Sequence, residues 1–334
     1  MREPKWVEQS GAGWKCTLCP QGCVWSASKP LGLCRVRGLT DGRPDLPGWG
    51  RCVSLAVDPI EKKPLYHFLP GSEILSTGPA GCNLSCRFCQ NWTISQEDAP
   101  TRLVEPEALA GLALEDRSRG IAFTYSEPVI WFEYIAEVAP LVRARGGAVV
   151  MVSNGMVNPA PLEEYLGFTD AWNIDLKGWS KDFYTRLCGG SRDAVLSTIS
   201  RVAESPAHLE ITLLLIPGEN DDPSEWGEMA AWIAAEAGPD VPLHISRYFP
   251  RYRMKNPPTP HETITRAVEL FSSRLKYVYP GNLAGESNTR CPACGSTAIR
   301  REGWSVDISG LRGGSCARCG EKLGIVTSLR NAGS

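Results

Sequence analysis

The sequence predicts an α/β protein: a partial (β/α)6 barrel with a small Cys-rich metal-binding module at each terminus. Between residues 70 and 285, short apolar runs alternate with longer amphipathic ones, the pattern of parallel strands joined by helices. Six such units fit this span, whereas a full eight-unit barrel would need more chain. Outside it the composition shifts to Gly, Pro and Cys with little periodicity. The expected division is 1–69 for an N-terminal four-cysteine module and lead-in, 70–285 for the barrel, and 286–334 for a C-terminal ribbon whose last residues, Asn331–Ser334, fray.

In chain order, strands are expected at Ile74–Ser76, Ile121–Thr124, Ala148–Val152, Trp172–Asp175, Leu209–Ile216 and Leu243–Ser246. Helices are expected near Pro106–Glu115, Val129–Arg143, Leu162–Leu166, Ala194–Glu204, Ser224–Ala237 and Pro260–Arg274. Two helix starts carry explicit signals. Asp222-Pro-Ser-Glu225 and Thr259-Pro-His-Glu262 each offer a capping side chain, a proline at the first helical position and a glutamate three residues on. The aromatic stretch Val129-Ile-Trp-Phe-Glu-Tyr-Ile135 has helical spacing and reads as core.

At 334 residues the chain can bury a large core. Its net charge of −2 creates no long-range field for nucleic acid or an anionic membrane, so neither is an expected partner. No apolar run approaches the roughly 18 residues of a membrane span. The opening Met1-Arg-Glu-Pro-Lys-Trp6 lacks the apolar core of a signal peptide, so a cytoplasmic location is expected.

Thirteen cysteines in a reducing compartment point to metal rather than to disulfides. They group as Cys16, Cys19, Cys23 and Cys34; Cys82, Cys86 and Cys89; and Cys291, Cys294, Cys316 and Cys319, with Cys52 and Cys188 left over. Two groups of four can each close a metal site, while a group of three leaves one open. The C-terminal pair of C-x2-C knuckles, each with its turn glycine (Gly295, Gly320), is a zinc-ribbon pattern. For the N-terminal four, spacing admits zinc or a second iron–sulfur cluster; the lack of a ferredoxin-like cysteine repeat favours zinc.

The open group lies in Gly81-Cys-Asn-Leu-Ser-Cys-Arg-Phe-Cys-Gln90, directly after the first strand. C-x3-C-x2-C with the aromatic Phe88 before the third cysteine resembles the signature of the radical S-adenosylmethionine (SAM) superfamily, whose [4Fe-4S] cluster keeps one iron open. A zinc knuckle with a distant fourth ligand is the other reading. The resemblance implies reductive cleavage of SAM to a 5′-deoxyadenosyl radical that abstracts hydrogen from a substrate, with electrons from a donor such as flavodoxin or ferredoxin.

It also implies cofactor-binding residues at the strand ends. Beside Phe88, these are Glu127 of Thr124-Tyr-Ser-Glu-Pro128, where the family usually has Gly-Gly-Glu-Pro; Ser153 and Asn154 of Ser153-Asn-Gly155; and Asp175 and Lys177 of Asn173-Ile-Asp-Leu-Lys177. A helix-dipole role for Glu127, a plain turn at Asn154-Gly155 and a structural Asp175–Lys177 pair are the simpler accounts. Arg247, Tyr248 and His67 are cavity candidates. No catalytic residue beyond these is assigned.

Lys15-Cys-Thr-Leu-Cys-Pro20, Gly32-Leu-Cys-Arg-Val-Arg37, Asp58-Pro-Ile-Glu-Lys-Lys-Pro-Leu-Tyr-His-Phe68, Cys89-Gln-Asn-Trp92 with Ile94-Ser-Gln96, and the terminal ribbon occur in one order. This set resembles the AmmeMemoRadiSam-system radical SAM enzymes, relatives of the pyruvate formate-lyase activating enzymes. That resemblance implies Memo-like and AMMECR-like partners. A glycyl-radical-enzyme activase acting on a partner protein and a non-catalytic, metal-stapled scaffold are the alternative functions.

Overall fold

The computed structural model describes residues 1–115, 117–283 and 285–329; the expected fraying of Asn331–Ser334 lies outside the described residues. The N-terminal module pairs β1 (Val7–Ser10), β2 (Gly13–Cys16) and β3 (Val24–Trp25) in one antiparallel sheet, followed by the hairpin of β4 (Gly38–Thr40) and β5 (Arg43–Asp45).

The central sheet then uses β6 (Arg51–Pro59), β7 (Glu73–Pro79), β8 (Arg102–Leu103), β9 (Ser118–Phe123), β10 (Ala148–Ser153), β11 (Ala171–Asp175), β12 (His208–Leu215), β13 (Leu243–Arg247) and β14 (Val278–Gly281). Its order is β14-β13-β12-β11-β10-β9-β7-β6-β8, with neighbours parallel from β14 through β7 and antiparallel beyond. Helices return the chain between these strands: α1 (Trp92–Ser95) and α2 (Pro106–Leu112) before β9, α3 (Phe132–Arg143), α4 (Pro159–Phe168), α5 (Lys181–Phe183) with α6 (Arg192–Ala203), α7 (Pro223–Glu236) and α8 (His261–Ser272).

All six expected strands are present and parallel, which is the architecture of an open βα barrel. Three strands of the central sheet were not expected, the two-residue β8 at its edge among them. β14 adds a seventh parallel strand from Val-Tyr-Pro-Gly, a composition that reads as a turn. β6 takes residues 51–59 of the lead-in into the central sheet, so that segment is part of the barrel's edge rather than of the N-terminal module.

Of the two signalled helix starts, Asp222 does cap α7, accepting from Ser224 N at 2.8 Å with Pro223 first in the helix. Thr259 does not cap α8, which begins at His261. Its hydroxyl instead donates to the Leu215 carbonyl and accepts from Tyr248 N, tying β12 to the segment after β13. α3 buries Phe132, Tyr134, Ile135, Val138, Ala139 and Val142 against the sheet, so the aromatic stretch is core.

The ribbon consists of β15 (Thr289–Arg290), β16 (Thr297–Glu302) and β17 (Ser305–Asp307) in one sheet, and β18 (Leu311–Arg312) with β19 (Ser315–Cys316) in another. It closes the end of the barrel where the parallel strands begin. Arg301 donates to the Tyr66 carbonyl at 2.6 Å and lies over the Tyr66 ring, and Val326 N donates to the His67 carbonyl. Behind that plug Glu210 is fully buried, accepting from His208 and His244 Nε2 at 3.0 and 2.6 Å and from the backbone N–H groups of Tyr66 and His67. No helix among the described residues is long and apolar enough to cross a membrane.

Candidate active site

At the opposite end, where the parallel strands finish, a cavity with about 900 Å³ of interatomic space, its open mouth included, is set into the barrel. Cys82, Cys86 and Cys89 line it together with Phe88, Asn91, Ser95, Tyr125, Glu127, Asn154, Asp175 and Lys177. This is where a βα barrel gathers side chains from several strands.

The loop after β7 is pinned from several sides. Leu84 N donates to Cys82 Sγ at 3.3 Å, Asn154 Nδ2 approaches the same sulfur at 3.6 Å, and Cys89 Sγ lies 3.2 Å from Ser95 Oγ. Ser85 N and Arg87 N donate to the Cys188 and Leu187 carbonyls. The Cys188 thiol is fully buried beside Cys86, and its hydrogen bond is the main influence pulling the Cys86 thiol down. Three thiols facing one cavity, with hydrogen-bond donors to sulfur and no fourth cysteine among the lining residues, fit a cluster with one iron left open.

Glu127 leaves the end of β9 on a residue in left-handed conformation, Tyr125 at φ 71°. Glycine adopts that conformation freely, so Tyr125 carries local strain where the resembling family has glycine. Its ring hydroxyl donates to Asp58 and its carbonyl accepts from Asn91 Nδ2, which hold it there. Glu127 itself is 1% exposed; its Oε1 accepts from Val129 N and Ser153 Oγ, and its Oε2 from Asn154 N at 2.8 Å. Burial pushes its carboxyl up to about 7, with these neutral donors and the more distant Lys177 pulling the other way. Glu127 therefore does cap the turn after Pro128, yet three bonds leave about one carboxylate acceptor position unfilled on Oε2.

Asp175 and Lys177 lie side by side on the cavity wall, with Nζ to Oδ2 at 2.8 Å. Burial works against the Lys177 ammonium, but Asp175 and the Cys86 thiolate outweigh it and hold the lysine well above its ordinary range. Ser153 does not line the cavity; its hydroxyl stands behind Glu127 and orients it.

The remaining candidates lie elsewhere. His67 is sealed at the barrel base, its Nε2 2.7 Å from Tyr279 Oη, because the segment 60–69 precedes β7 and runs under the strand starts. Arg247 follows Ser246 on β13 and so faces the other way: Ser246 lines the cavity, while Arg247 Nε donates to the Thr259 carbonyl. Tyr248 is fully buried and its hydroxyl has no partner among the described residues. Sequence reasoning missed Thr212, Leu214, Ser246, Asn91 and Asn282, which do line the cavity. Alternation along β12 and β13, counted inward from the strand ends, would have selected the first three.

In the ribbon, Cys291 and Cys319 sulfurs are 3.6 Å apart and those of Cys294 and Cys316 3.8 Å. A tetrahedral ion with about 2.3 Å bonds to sulfur needs ligand separations of about 3.8 Å, so these four thiols have the spacing of a zinc site. Cys16, Cys19, Cys23 and Cys34 surround a separate void under the N-terminal module.

A family model described as the radical SAM superfamily matches residues 78–232. An uncharacterised protein of Methanocaldococcus jannaschii is 37% identical over 321 residues, covering 93% of this chain and 95% of that protein. Among solved structures, the chain is similar to a radical SAM methyltransferase from Sphaerobacter thermophilus, at TM-score 0.50 and 14% identity over 64% of this chain and 71% of that one. It is also similar to SuiB of Streptococcus suis bound to its precursor peptide SuiA, at TM-score 0.50 and 11% identity over 67% of this chain and 52% of that one. At these identities the structural likeness is one of fold.

Proposed function

Since the chain belongs to the radical SAM superfamily, and is thus an enzyme using SAM with a [4Fe-4S] cluster, we propose that Cys82, Cys86 and Cys89 hold that cluster and that the enzyme abstracts hydrogen from a substrate in the cavity beside it. The observation carrying this reading is that the three thiols, Glu127, Asp175 and Lys177 converge on one cavity at the strand ends. When bound, a cluster with three thiolate ligands supplies an open iron for the methionine end of SAM and the electron that splits SAM into methionine and a 5′-deoxyadenosyl radical.

The chain's own groups do the positioning. The unfilled acceptor position of Glu127 takes an N–H of the SAM ammonium, and that positive charge suits a carboxylate which has only neutral groups in direct contact. Lys177 offers donors to the SAM carboxylate, and the Asp175 oxygen not bonded to lysine accepts from a ribose hydroxyl. Phe88 and Leu214 give the adenine apolar walls, with Thr212 and Ser246 as polar contacts. Ser153 and Asn154 keep Glu127 aimed.

Anaerobic reconstitution with iron, sulfide and reductant tests the reading: 5′-deoxyadenosine should form when SAM is added. A fully loaded cluster that yields none would leave the metal-stapled scaffold as the account. A glycyl-radical EPR signal on a partner protein would select the activase.

The finer placement in the AmmeMemoRadiSam system is part of the same proposal, supported by the ordered motifs from Lys15 to the ribbon. Memo-like and AMMECR-like proteins and a flavodoxin- or ferredoxin-type donor are then the partners, to be sought by affinity capture. Zinc is proposed for the ribbon on its sulfur spacing. Metal analysis should find it retained when Cys82, Cys86 and Cys89 are replaced.

A further inference from the structure

The N-terminal thiols do not have the spacing of the C-terminal ones. Among the described residues, only the ribbon cysteines form a group of three or more Cys, His, Asp or Glu ligand atoms all within 4.8 Å of one another. No three of the thiols of Cys16, Cys19, Cys23 and Cys34 meet that condition. The four wall a void with about 310 Å³ of interatomic space, its mouth included, closed by Leu18, Trp25 and Ile130. A single tetrahedral ion would leave no such void, because its ligands stand about 3.8 Å apart. A four-iron four-sulfur core occupies the middle of its four thiolates and holds them farther from one another.

A second observation is independent of the thiol spacing. Two fully buried donors of residues lining this void, Trp25 Nε1 and Arg37 Nε, have no hydrogen-bond partner among the described residues. Arg37 is otherwise committed, its two terminal nitrogens paired with Glu133. An unpaired buried N–H costs about 1–3 kcal/mol, so an acceptor is expected. A lone zinc ion brings no acceptor beyond its own thiolates, whereas a cluster brings inorganic sulfides. Leu33 N already donates to Cys23 Sγ at 3.5 Å, the kind of contact that tunes cluster potentials.

We propose that Cys16, Cys19, Cys23 and Cys34 bind a second [4Fe-4S] cluster, with Trp25 and Arg37 donating to its sulfides. The void sits directly against the catalytic loop. A side chain at Gly81 would collide with the Cys34 carbonyl, and Asn83 lines the void while its neighbour Cys82 lines the active-site cavity. Gln21 Nε2 donates to the Asn83 carbonyl and Asn154 Nδ2 to Asn83 Oδ1, joining the two sites through one residue. If Cys82, Cys86 and Cys89 hold the catalytic cluster, as proposed above, the N-terminal cluster is the route inward for its electron. A low-potential flavodoxin- or ferredoxin-type donor loses one electron to the N-terminal cluster, which returns to its oxidised state on passing that electron on.

The test uses the full chain with Cys82→Ala, Cys86→Ala and Cys89→Ala combined, reconstituted anaerobically with ferrous iron and sulfide. About four irons, about four acid-labile sulfides and about one zinc per chain are expected, with an EPR signal on reduction. Two zincs and no iron, or about two irons, would overturn the proposal. Should that variant fail to fold, Mössbauer spectra of the wild type with SAM decide: about one iron in eight should shift, and about one in four would refute the second cluster. The complementary variant, Cys16→Ala with Cys19→Ala and Cys34→Ala, separates the two readings. If it binds no iron while the first variant binds as much as the wild type, the N-terminal cluster stands and the catalytic assignment falls.

Discussion

Glu127 and Glu210 are both fully buried in the same barrel, one at each end of its strands, and their net shifts run in opposite directions. Glu127 rises to about 7 because desolvation outweighs the neutral donors around it. Glu210 is desolvated just as fully, yet His208 and His244 hold it well below the usual carboxylate range. The base of the barrel carries its own counter-charges, whereas the mouth leaves a carboxylate with no cation in contact. A carboxyl left in that state at a cavity is one that a cationic ligand can satisfy. The same contrast separates His67, buried and lowered to about 3 among structural partners, from the open cavity.

Removing the base carboxylate should have the largest effect on stability. Glu210→Ala strands two imidazoles and two backbone N–H groups, and urea unfolding should show a loss of about 3–5 kcal/mol. SAM affinity of the folded fraction should stay unchanged; a parallel loss of affinity would mean that the two ends are not independent.

Next comes the pH dependence of the mouth. A carboxyl raised from its ordinary 4.5 to about 7 keeps its proton longer in the folded state, so its contribution falls as pH climbs through that window and is flat above it. Against Glu127→Gln, the wild type should lose about 3 kcal/mol of stability between pH 4.5 and 7. Saturating SAM should remove the difference by supplying the cation. His67 has the opposite slope, its lowered pKa withdrawing stability as pH falls below 6.5, which is why the comparison is made between variants.

At fixed pH 7.5, Glu127→Gln should weaken SAM binding by about 10- to 100-fold, the worth of one charge-assisted hydrogen bond, measured by isothermal titration. An unchanged affinity would return Glu127 to the role of a helix cap. The smallest effect is expected at Tyr248, just past the end of β13. Tyr248→Phe removes a hydroxyl with no partner among the described residues and should change stability by less than about 0.5 kcal/mol and 5′-deoxyadenosine formation not at all.

The same contrast explains what could be read from the chain. The mouth was largely legible because strand ends carry short local motifs, and Cys82–Cys89, Glu127 and the Asp175–Lys177 pair each sit within a few residues of a recognisable strand. The base was not. Glu210 lies in an apolar run whose meaning depends on His244, His208 and the Tyr66–His67 backbone, contacts spanning up to 144 positions. His67 misled for the same reason: a histidine next to a strand says nothing about which end of the strand it faces. Thr259 had the local signature of a helix cap, but tertiary bonds to Leu215 and Tyr248 claimed its hydroxyl. β14 escaped because parallel pairing with β13 overrides the turn preference of Pro-Gly. The N-terminal thiols show the limit of counting: four cysteines specify a closed site, while the metal inside depends on distances that no spacing in sequence encodes.

The plug at the barrel base also sets the timetable of biosynthesis. Arg301 meets Tyr66 across 235 positions, so at ribosomal speed the two partners emerge roughly 10–50 s apart. Until then the strand starts stand unsealed, and water reaches the ground that Glu210 and its histidines will occupy. The newborn barrel thus waits, mouth assembled and floor missing, for the ribbon to emerge and dock.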